Sequence, residues 1–244
     1  STADHDKTTD TFNVTINSDG TVTPITKVGD DSNTPVKEIV NKFHRSSLEI
    51  TKTTDDGITP LTGIEFTIKD SENVQRGNGK TDEQGKITFT NLKVNETYTV
   101  SETTHNGYYP SEDYRFKPTE NGTKYTLNWK NYPHSGVINI TKTDSLRANF
   151  PLSDVTYDLY KSNGSDGYTL LRTSAATGAN GQIHFDNMEL NSTANAPNTA
   201  PTLSDTTYYL HEITSPTGYT LDTTYHPVTI NASNNTGNIS LTNA

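Results

Sequence analysis

The sequence repeats itself, and this repeat limits the folds that the chain can adopt. Residues 47–133 and 135–244 align segment by segment. Each copy opens with an alternating strand that carries a lysine, "LEITKTTDD" and "INITKTDSL". Each then has a glycine-containing turn followed by another strand, "TDEQGKITFTNL" and "TGANGQIHFDNMEL". The chain therefore contains two modules of one kind rather than a single large domain.

The repeated segments are typical of short β-strands. Apolar and polar residues alternate within them, and Gly, Asn, Asp and Pro separate them, which favours antiparallel sandwiches. A hydrophobic content of 29% is low for one large core but sufficient for thin sandwiches, in which each strand buries one face. The predicted fold class is all-β, with tandem immunoglobulin-like sandwiches.

The predicted domains are residues 47–134 and 135–244, preceded by part of a third module in residues 1–46. There, "TFNVTINSDGTV" and "VKEIVNKF" resemble the last two strands of a copy, and no lysine-bearing first strand precedes them. We expect the beginning of that module to lie upstream. The second copy also contains an insertion, "NSTANAPNTAPTLSD", whose composition predicts an exposed flexible loop. A tolerated insertion is favoured there over a binding loop.

Composition excludes several functional classes. The net charge is −10 and the basic residues are scattered, so no nucleic-acid partner is expected. No apolar run is long enough to span a bilayer, and we expect no membrane contact in this part of the protein. The absence of cysteine excludes disulfides and thiol catalysis. The seven histidines lack metal-ligand spacing, so neither a metal nor a cofactor is predicted.

Polar residues fall on strand faces that should be buried. In "SLEITKT", period-two geometry places Lys52 on the same face as Leu48 and Ile50. Applied to the other strands, this test predicts one inward-facing Lys, Glu and Asn in each copy. They are Lys52, Glu102 and Asn131 in the first copy and Lys142, Glu212 and Asn243 in the second. Asn128, near Asn131, faces the opposite way and is the weaker candidate.

Three isolated polar groups would be too costly to bury, but together they can react. Desolvation lowers the pKa of a lysine and raises that of a glutamic acid, which favours a neutral amine beside a protonated carboxyl group. The amine can attack the asparagine carboxamide carbon while the acid assists the loss of ammonia. Folding supplies the proximity, and effective molarities can reach roughly 10⁵ M. The reaction occurs once, on the protein itself, so we do not class the chain as an enzyme.

These motifs resemble CnaB-type (SpaA-like) domains of Gram-positive pilins and cell-wall-anchored surface adhesins. The similarity rests on "LEITKT", "YTVSET" and "WKNYP" in the first copy and on their counterparts "INITKT", "YYLHEIT" and "SLTNA", in the same order, in the second. It implies an autocatalytic intramolecular isopeptide bond in each module. By position, Lys52 would be joined to Asn131 with Glu102 as catalyst, and Lys142 to Asn243 with Glu212 as catalyst. In "EIVNKF", Asn41 matches the acceptor position of the truncated module.

The function predicted from this resemblance is the stalk of a pilin or of a cell-surface adhesin, located outside the cell on a Gram-positive wall or pilus. Its partners would be other pilin subunits or the remainder of an anchored adhesin. The alternative is an adhesin module that contacts a host protein or glycan through its loops, which a concave aromatic platform would favour. A hydrolytic enzyme is disfavoured because no nucleophile–base arrangement is recognisable in the sequence.

Overall fold

A computed structural model describes residues 10–18, 21–29, 35, 43–103, 105–164 and 167–244. Within these ranges the ordered elements are all β-strands. In chain order they are β1 Phe12–Asn13, β2 Thr26–Lys27, β3 Arg45–Thr54, β4 Glu65–Lys69, β5 Gln75–Lys80, β6 Lys86–Lys93, β7 Tyr98–Glu102, β8 Tyr114–Phe116, β9 Lys124–Asn131, β10 Gly136–Asp144, β11 Thr156–Ser162, β12 Tyr168–Thr173, β13 Gln182–Met188, β14 Asn191–Thr193, β15 Thr202–Ser204, β16 Thr206–Thr214, β17 Tyr225–Ile230 and β18 Thr236–Asn243.

The first sandwich packs a three-stranded sheet, β6-β3-β9, against a four-stranded sheet, β5-β4-β7-β8. Alternation along β3 buries Leu48 and Ile50, and β4 contributes Phe66 and Ile68 to the same core. Strands β3 and β9, the first and last of the unit, are parallel neighbours. This pairing places the first and last strands side by side, with their carboxyl ends at the same edge of the sheet.

The second sandwich repeats this arrangement. Its sheets are β13-β10-β18 and β12-β11-β16-β17, and β10 and β18 are again parallel neighbours. The core includes Ile138 and Ile140 from one sheet and Leu159 and Leu210 from the other. The predicted fold class, tandem all-β immunoglobulin-like sandwiches, is confirmed.

The insertion in the second copy is only in part the exposed flexible loop that its composition predicts. Strands β14 and β15 pair antiparallel, with Asn191 opposite Ser204 and Thr193 opposite Thr202. We call residues 191–204 the insertion hairpin. The prediction of a loop was wrong for the paired residues 191–193 and 202–204, because composition reports solubility and turn preference, whereas pairing depends on which neighbours are available.

Before the first sandwich, β1 and β2 form a short antiparallel ribbon. Assignment of residues 1–46 to a truncated module stays a prediction, and Asn41 lies outside the described residues. In the part of the chain that the structure describes, no helix is long and apolar enough to cross a membrane.

Candidate functional site

The parallel pairing of β3 and β9 positions the first candidate site. Lys52 is the register partner of Trp129, and Asn131 lies two residues further along β9 on the same face. A residue and its diagonal neighbour across a strand pair are within reach when one side chain is long. Both side chains are buried, with Lys52 0% and Asn131 2% exposed.

Glu102 reaches the same point from the opposite sheet, at the end of β7. Its carboxylate oxygens lie 2.8 Å from Lys52 Nζ and 2.6 Å from Asn131 Nδ2, and both nitrogens donate to it. Lys52 Nζ also donates to Asn131 Oδ1. Amine, carboxylate and carboxamide therefore close a triangle, which we call the first triad.

Aromatic rings shield the first triad from water. Trp129 is fully buried, its ring meets Phe66 edge to face at 5.1 Å, and Lys52 Nζ lies 5.6 Å from its centroid. Burial lowers the pKa of Lys52 to about 8, although the Glu102 carboxylate opposes this shift. The amine is thus easier to deprotonate than an exposed lysine, as nucleophilic attack requires.

Backbone contacts fix the lysine strand at the reacting residue. Lys52 N donates to Gly85 O at 2.7 Å, and Leu61 N donates to Lys52 O at 3.0 Å. Gly85 has φ +72°, and a Cβ there would lie 2.3 Å from Lys52 O. Gly181 has φ +69°, with the corresponding distance 2.4 Å to Lys142 O. The glycines of the two repeated turns therefore permit a close approach that no other residue allows.

The second triad has the same members at the equivalent positions. Glu212 accepts hydrogen bonds at 2.7 Å from both Lys142 Nζ and Asn243 Nδ2. All three side chains are buried. Lys142 Nζ donates its other hydrogen bond to Thr242 O at 3.3 Å. Asn243 Oδ1 is buried without a partner among the described residues, so the direct amine–amide contact of the first triad is not made here.

A buried hydroxyl accompanies this difference. Tyr157 is fully buried, and its hydroxyl has no hydrogen-bond partner within the described parts of the chain. Burial raises the pKa of Tyr157, and the Glu212 carboxylate raises it further. The first sandwich has Phe66 at the corresponding place in the repeat. Sequence alignment of the copies shows this Phe-to-Tyr change, but not that the hydroxyl is unsatisfied.

Several residues that the sequence analysis did not identify hold the end of β18, the strand that carries Asn243. Asp144 is the register partner of Asn243. It accepts hydrogen bonds from Arg147 Nε at 2.7 Å and Tyr219 Oη at 2.8 Å. Ser145 N donates to Asn243 O at 2.8 Å. This network anchors the segment that carries the second carboxamide. Arg147 is only three residues from Asp144, but Tyr219 is distant in the chain and left no local signal.

In each sandwich, the structure thus brings together the three side chains of the predicted triad. Asn128 is exposed on the other face of β9. Within the described ranges, no group of three or more His, Asp or Glu side chains could hold a metal ion.

The family model that matches this sequence is SpaA, described as a prealbumin-like fold domain. It matches twice, at residues 46–133 and 136–244. The chain belongs to this family. The resemblance to SpaA-like domains is thereby confirmed. A search of curated protein sequences finds no match for the chain.

Solved structures with similar architecture come from Gram-positive bacteria. The Bacillus anthracis TIE protein is 25% identical with a TM-score of 0.44, and the match covers 92% of this chain but only 38% of that one. A streptococcal ancillary pilin is 20% identical (TM-score 0.47, 90% of this chain and 69% of the other). The shaft pilin SpaA of Lactobacillus rhamnosus GG is 16% identical (TM-score 0.47, 82% and 98%). With TM-scores below 0.5, these likenesses add nothing to the family assignment.

Proposed function

We propose that this chain is a stalk region of a Gram-positive pilin or cell-surface adhesin, in which each sandwich closes itself with a Lys–Asn isopeptide bond. The observation that carries the proposal is the buried Lys–Glu–Asn triad, found twice, at the ends of neighbouring first and last strands. The chain would act outside the cell, on the cell wall or pilus. Its partners would be other pilin subunits or the remainder of an anchored adhesin.

The chemistry follows from the contacts of the first triad. Proton transfer from Lys52 to Glu102 gives a neutral amine beside a carboxylic acid, a tautomer that a water-poor site tolerates better than an ion pair. The amine attacks Cγ of Asn131, and a new C–N bond forms. Glu102 gives this proton to the departing nitrogen and takes one from the attacking nitrogen, the old C–N bond breaks, and ammonia leaves. Ammonia carries the remaining proton away as ammonium, so the Glu102 carboxylate is regenerated and no external reagent is consumed.

The position of the bond suits a load-bearing role. In each sandwich it would join the first strand to the last, so tension entering at one end passes through these strands and the covalent link. The remaining strands carry little load. The link also closes a long loop, which stabilises the folded state by about 4–5 kcal/mol through the entropy of the denatured chain.

Intact mass of the full chain tests the proposal. Each bond expels one ammonia, so the mass should fall about 17 Da per link below the value calculated from the sequence. Glu102→Gln and Glu212→Gln should each abolish one loss and leave the other. Glu72→Gln, at an exposed position, is the matched control. A wild-type mass equal to the calculated value, in folded protein, rejects the proposal.

A second candidate function, glycan binding, is favoured by one observation. The four-stranded sheet of the second sandwich carries a cluster of aromatic side chains in mutual contact, some stacked and some edge to face. Its members are Tyr160, Tyr168, Tyr209, His211 and Tyr225. Tyr168 and Tyr225 are parallel at 4.5 Å, and Tyr168 is 41% exposed. Aromatic faces with polar tips suit sugar rings. Binding on a glycan array that Tyr168→Ala removes would support this function, and absence of binding would exclude it for the glycans tested.

A further inference from the structure

The joint between the two sandwiches is covered by side chains from both. The first sandwich ends at Asn131 and the second begins at Gly136. Tyr109, in the loop after β7, is 4% exposed, and its hydroxyl accepts a hydrogen bond from Leu190 N at 3.0 Å. Leu190 is fully buried in the core of the second sandwich. Tyr109 thus connects a loop of one unit to the backbone of the other.

The insertion hairpin adds two contacts across the same joint. Glu112 N donates to Asn195 O at 2.9 Å. Tyr132 Oη donates to Asn198 O at 3.3 Å. Both acceptors lie in the turn between β14 and β15, which is the tip of the hairpin. A segment that reads as a tolerated insertion therefore ends against the neighbouring sandwich.

Internal hydrogen bonds make the hairpin tip a defined structure. Asn195 Nδ2 donates to Ala200 O at 2.7 Å, and Thr199 N donates to Ala196 O at 3.0 Å. At its base, Asn191 N donates to Thr206 Oγ1 at 2.6 Å. Because hydrogen bonds hold both its base and its tip, the hairpin can transmit force between the units, whereas a flexible loop could not.

The linking residues themselves are packed. The ring of His134 lies 4.6 Å from that of Tyr109, and His134 N donates to Gly107 O at 2.8 Å. At Gly136, a Cβ would lie only 2.7 Å from Leu190 Cδ1, so the chain enters the second sandwich in close contact with its core. Domains joined by a linker move relative to each other unless an interface prevents it. Here both Tyr109 and the tip of the insertion hairpin form contacts between the two units.

We propose that the insertion hairpin and Tyr109 form an interdomain brace that holds the two sandwiches in a fixed orientation. The brace depends on packing and hydrogen bonds alone, so its existence does not require the isopeptide bonds to form. Tyr109 N donates to Tyr132 O, and Thr220 N donates to Ala244 O in the second sandwich. Thr220 is therefore the counterpart of Tyr109, and the aromatic anchor is specific to the joint.

Distance measurements between spin labels test the brace in the full chain. Because the sequence contains no cysteine, Glu83→Cys and Thr217→Cys, both at exposed positions, place one label on each sandwich. The parent should give a narrow distance distribution. Replacing residues 194–201 with a two-residue Asn-Gly turn removes the hairpin tip and should about double the width of the distribution. Tyr109→Thr, which copies the second sandwich, should also broaden it.

Matched controls keep the test decisive. Tyr108→Phe changes the neighbouring ring, which lies against His105 within the first sandwich, and should leave the distribution unchanged. Tyr109→Phe retains the ring and removes only the hydroxyl, so it guards against loss of folding. Amide NMR spectra show whether each variant stays folded. If the folded hairpin-shortened chain and Tyr109→Phe both retain the parental width, the brace does not exist.

Discussion

Tyr157 lies directly opposite Glu212 in the register of β11 and β16, as Phe66 lies opposite Glu102 in β4 and β7. In both triads the carboxylate accepts from the amine and the carboxamide, but the residue opposite the glutamate carries a hydroxyl group only in the second sandwich. That hydroxyl is buried in the second sandwich without a partner in the described structure, and the carboxamide oxygen of Asn243 is also unpaired there. Unsatisfied buried polar groups carry a desolvation cost that no interaction offsets. The second site is thus the less well matched of the two.

Removing the hydroxyl should stabilise the second sandwich. Tyr157→Phe copies the first sandwich, and we expect the free energy of unfolding to rise by about 1 kcal/mol because an unsatisfied group is lost. Chemical denaturation measures this. Tyr208→Phe is the matched control, since the Tyr208 hydroxyl donates to Glu189 O and its loss should destabilise by about 1 kcal/mol. Destabilisation by Tyr157→Phe would instead show that an ordered water satisfies the hydroxyl.

The rate of the first cross-link should fall at alkaline pH. The reactive tautomer, neutral Lys52 with protonated Glu102, holds the same single proton as the ion pair. Raising the pH through the Lys52 pKa of about 8 removes that proton, and no acid is then left to protonate the nitrogen that departs as ammonia. We expect the rate to fall about tenfold between pH 7 and pH 9. Unlinked chain, recovered unfolded before its first folding, is placed in refolding buffer, quenched at intervals and weighed by mass spectrometry, which gives the rate. A rate that increases over this range would exclude Glu102 as the acid.

The glycine beside Lys52 should be indispensable to its reaction. In Gly85→Ala, the new Cβ meets Lys52 O at a distance that forces the strand to move, in addition to the positive φ. We expect a loss of about 3 kcal/mol or more and a missing first link. Gly122→Ala is the control, because Gly122 has φ +76° but open space around it, and should cost only about 1 kcal/mol. Peptide mapping identifies which link is absent, and equal effects of the two substitutions would contradict the close-approach argument.

Local periodicity was sufficient to predict much of the site. Whether Lys52 faces inward depends only on its spacing from Leu48 and Ile50, so one sequence contains that information. The Tyr109–Leu190 contact joins residues far apart in the chain, and nothing in either local segment indicates the other. The contact of Tyr219 with Asp144 was missed for the same reason. Alternation therefore predicts which residues enter a core, but not the pairing of loops.

The anchor at Asp144 should support the second link and not the first. Asp144→Asn loses charge-assisted hydrogen bonds from Arg147 and Tyr219, and we expect about 2 kcal/mol lower stability with slower joining of Lys142 to Asn243. The same bonds hold the pKa of Asp144 well below its usual range. Its contribution is therefore complete at neutral pH and is lost as the pH falls below about 3.9, the unfolded value. Asp186→Asn, at an exposed position, is the control for the mass time course. Slowing of the first link alone would refute the assignment.

Mechanical extension should distinguish linked from unlinked sandwiches. With both bonds formed, force applied at the chain ends cannot extend the residues between Lys52 and Asn131, so no unfolding step is expected from the first sandwich. Glu102→Gln should introduce one step of roughly 270 Å, because 79 residues separate the two cross-linked positions and each extends by about 3.4 Å. The second sandwich, still linked, should add no step, and Glu72→Gln should behave as the parent. Single-molecule force spectroscopy measures the step, and a step of this length in the fully linked parent would show that the bonds do not carry the load.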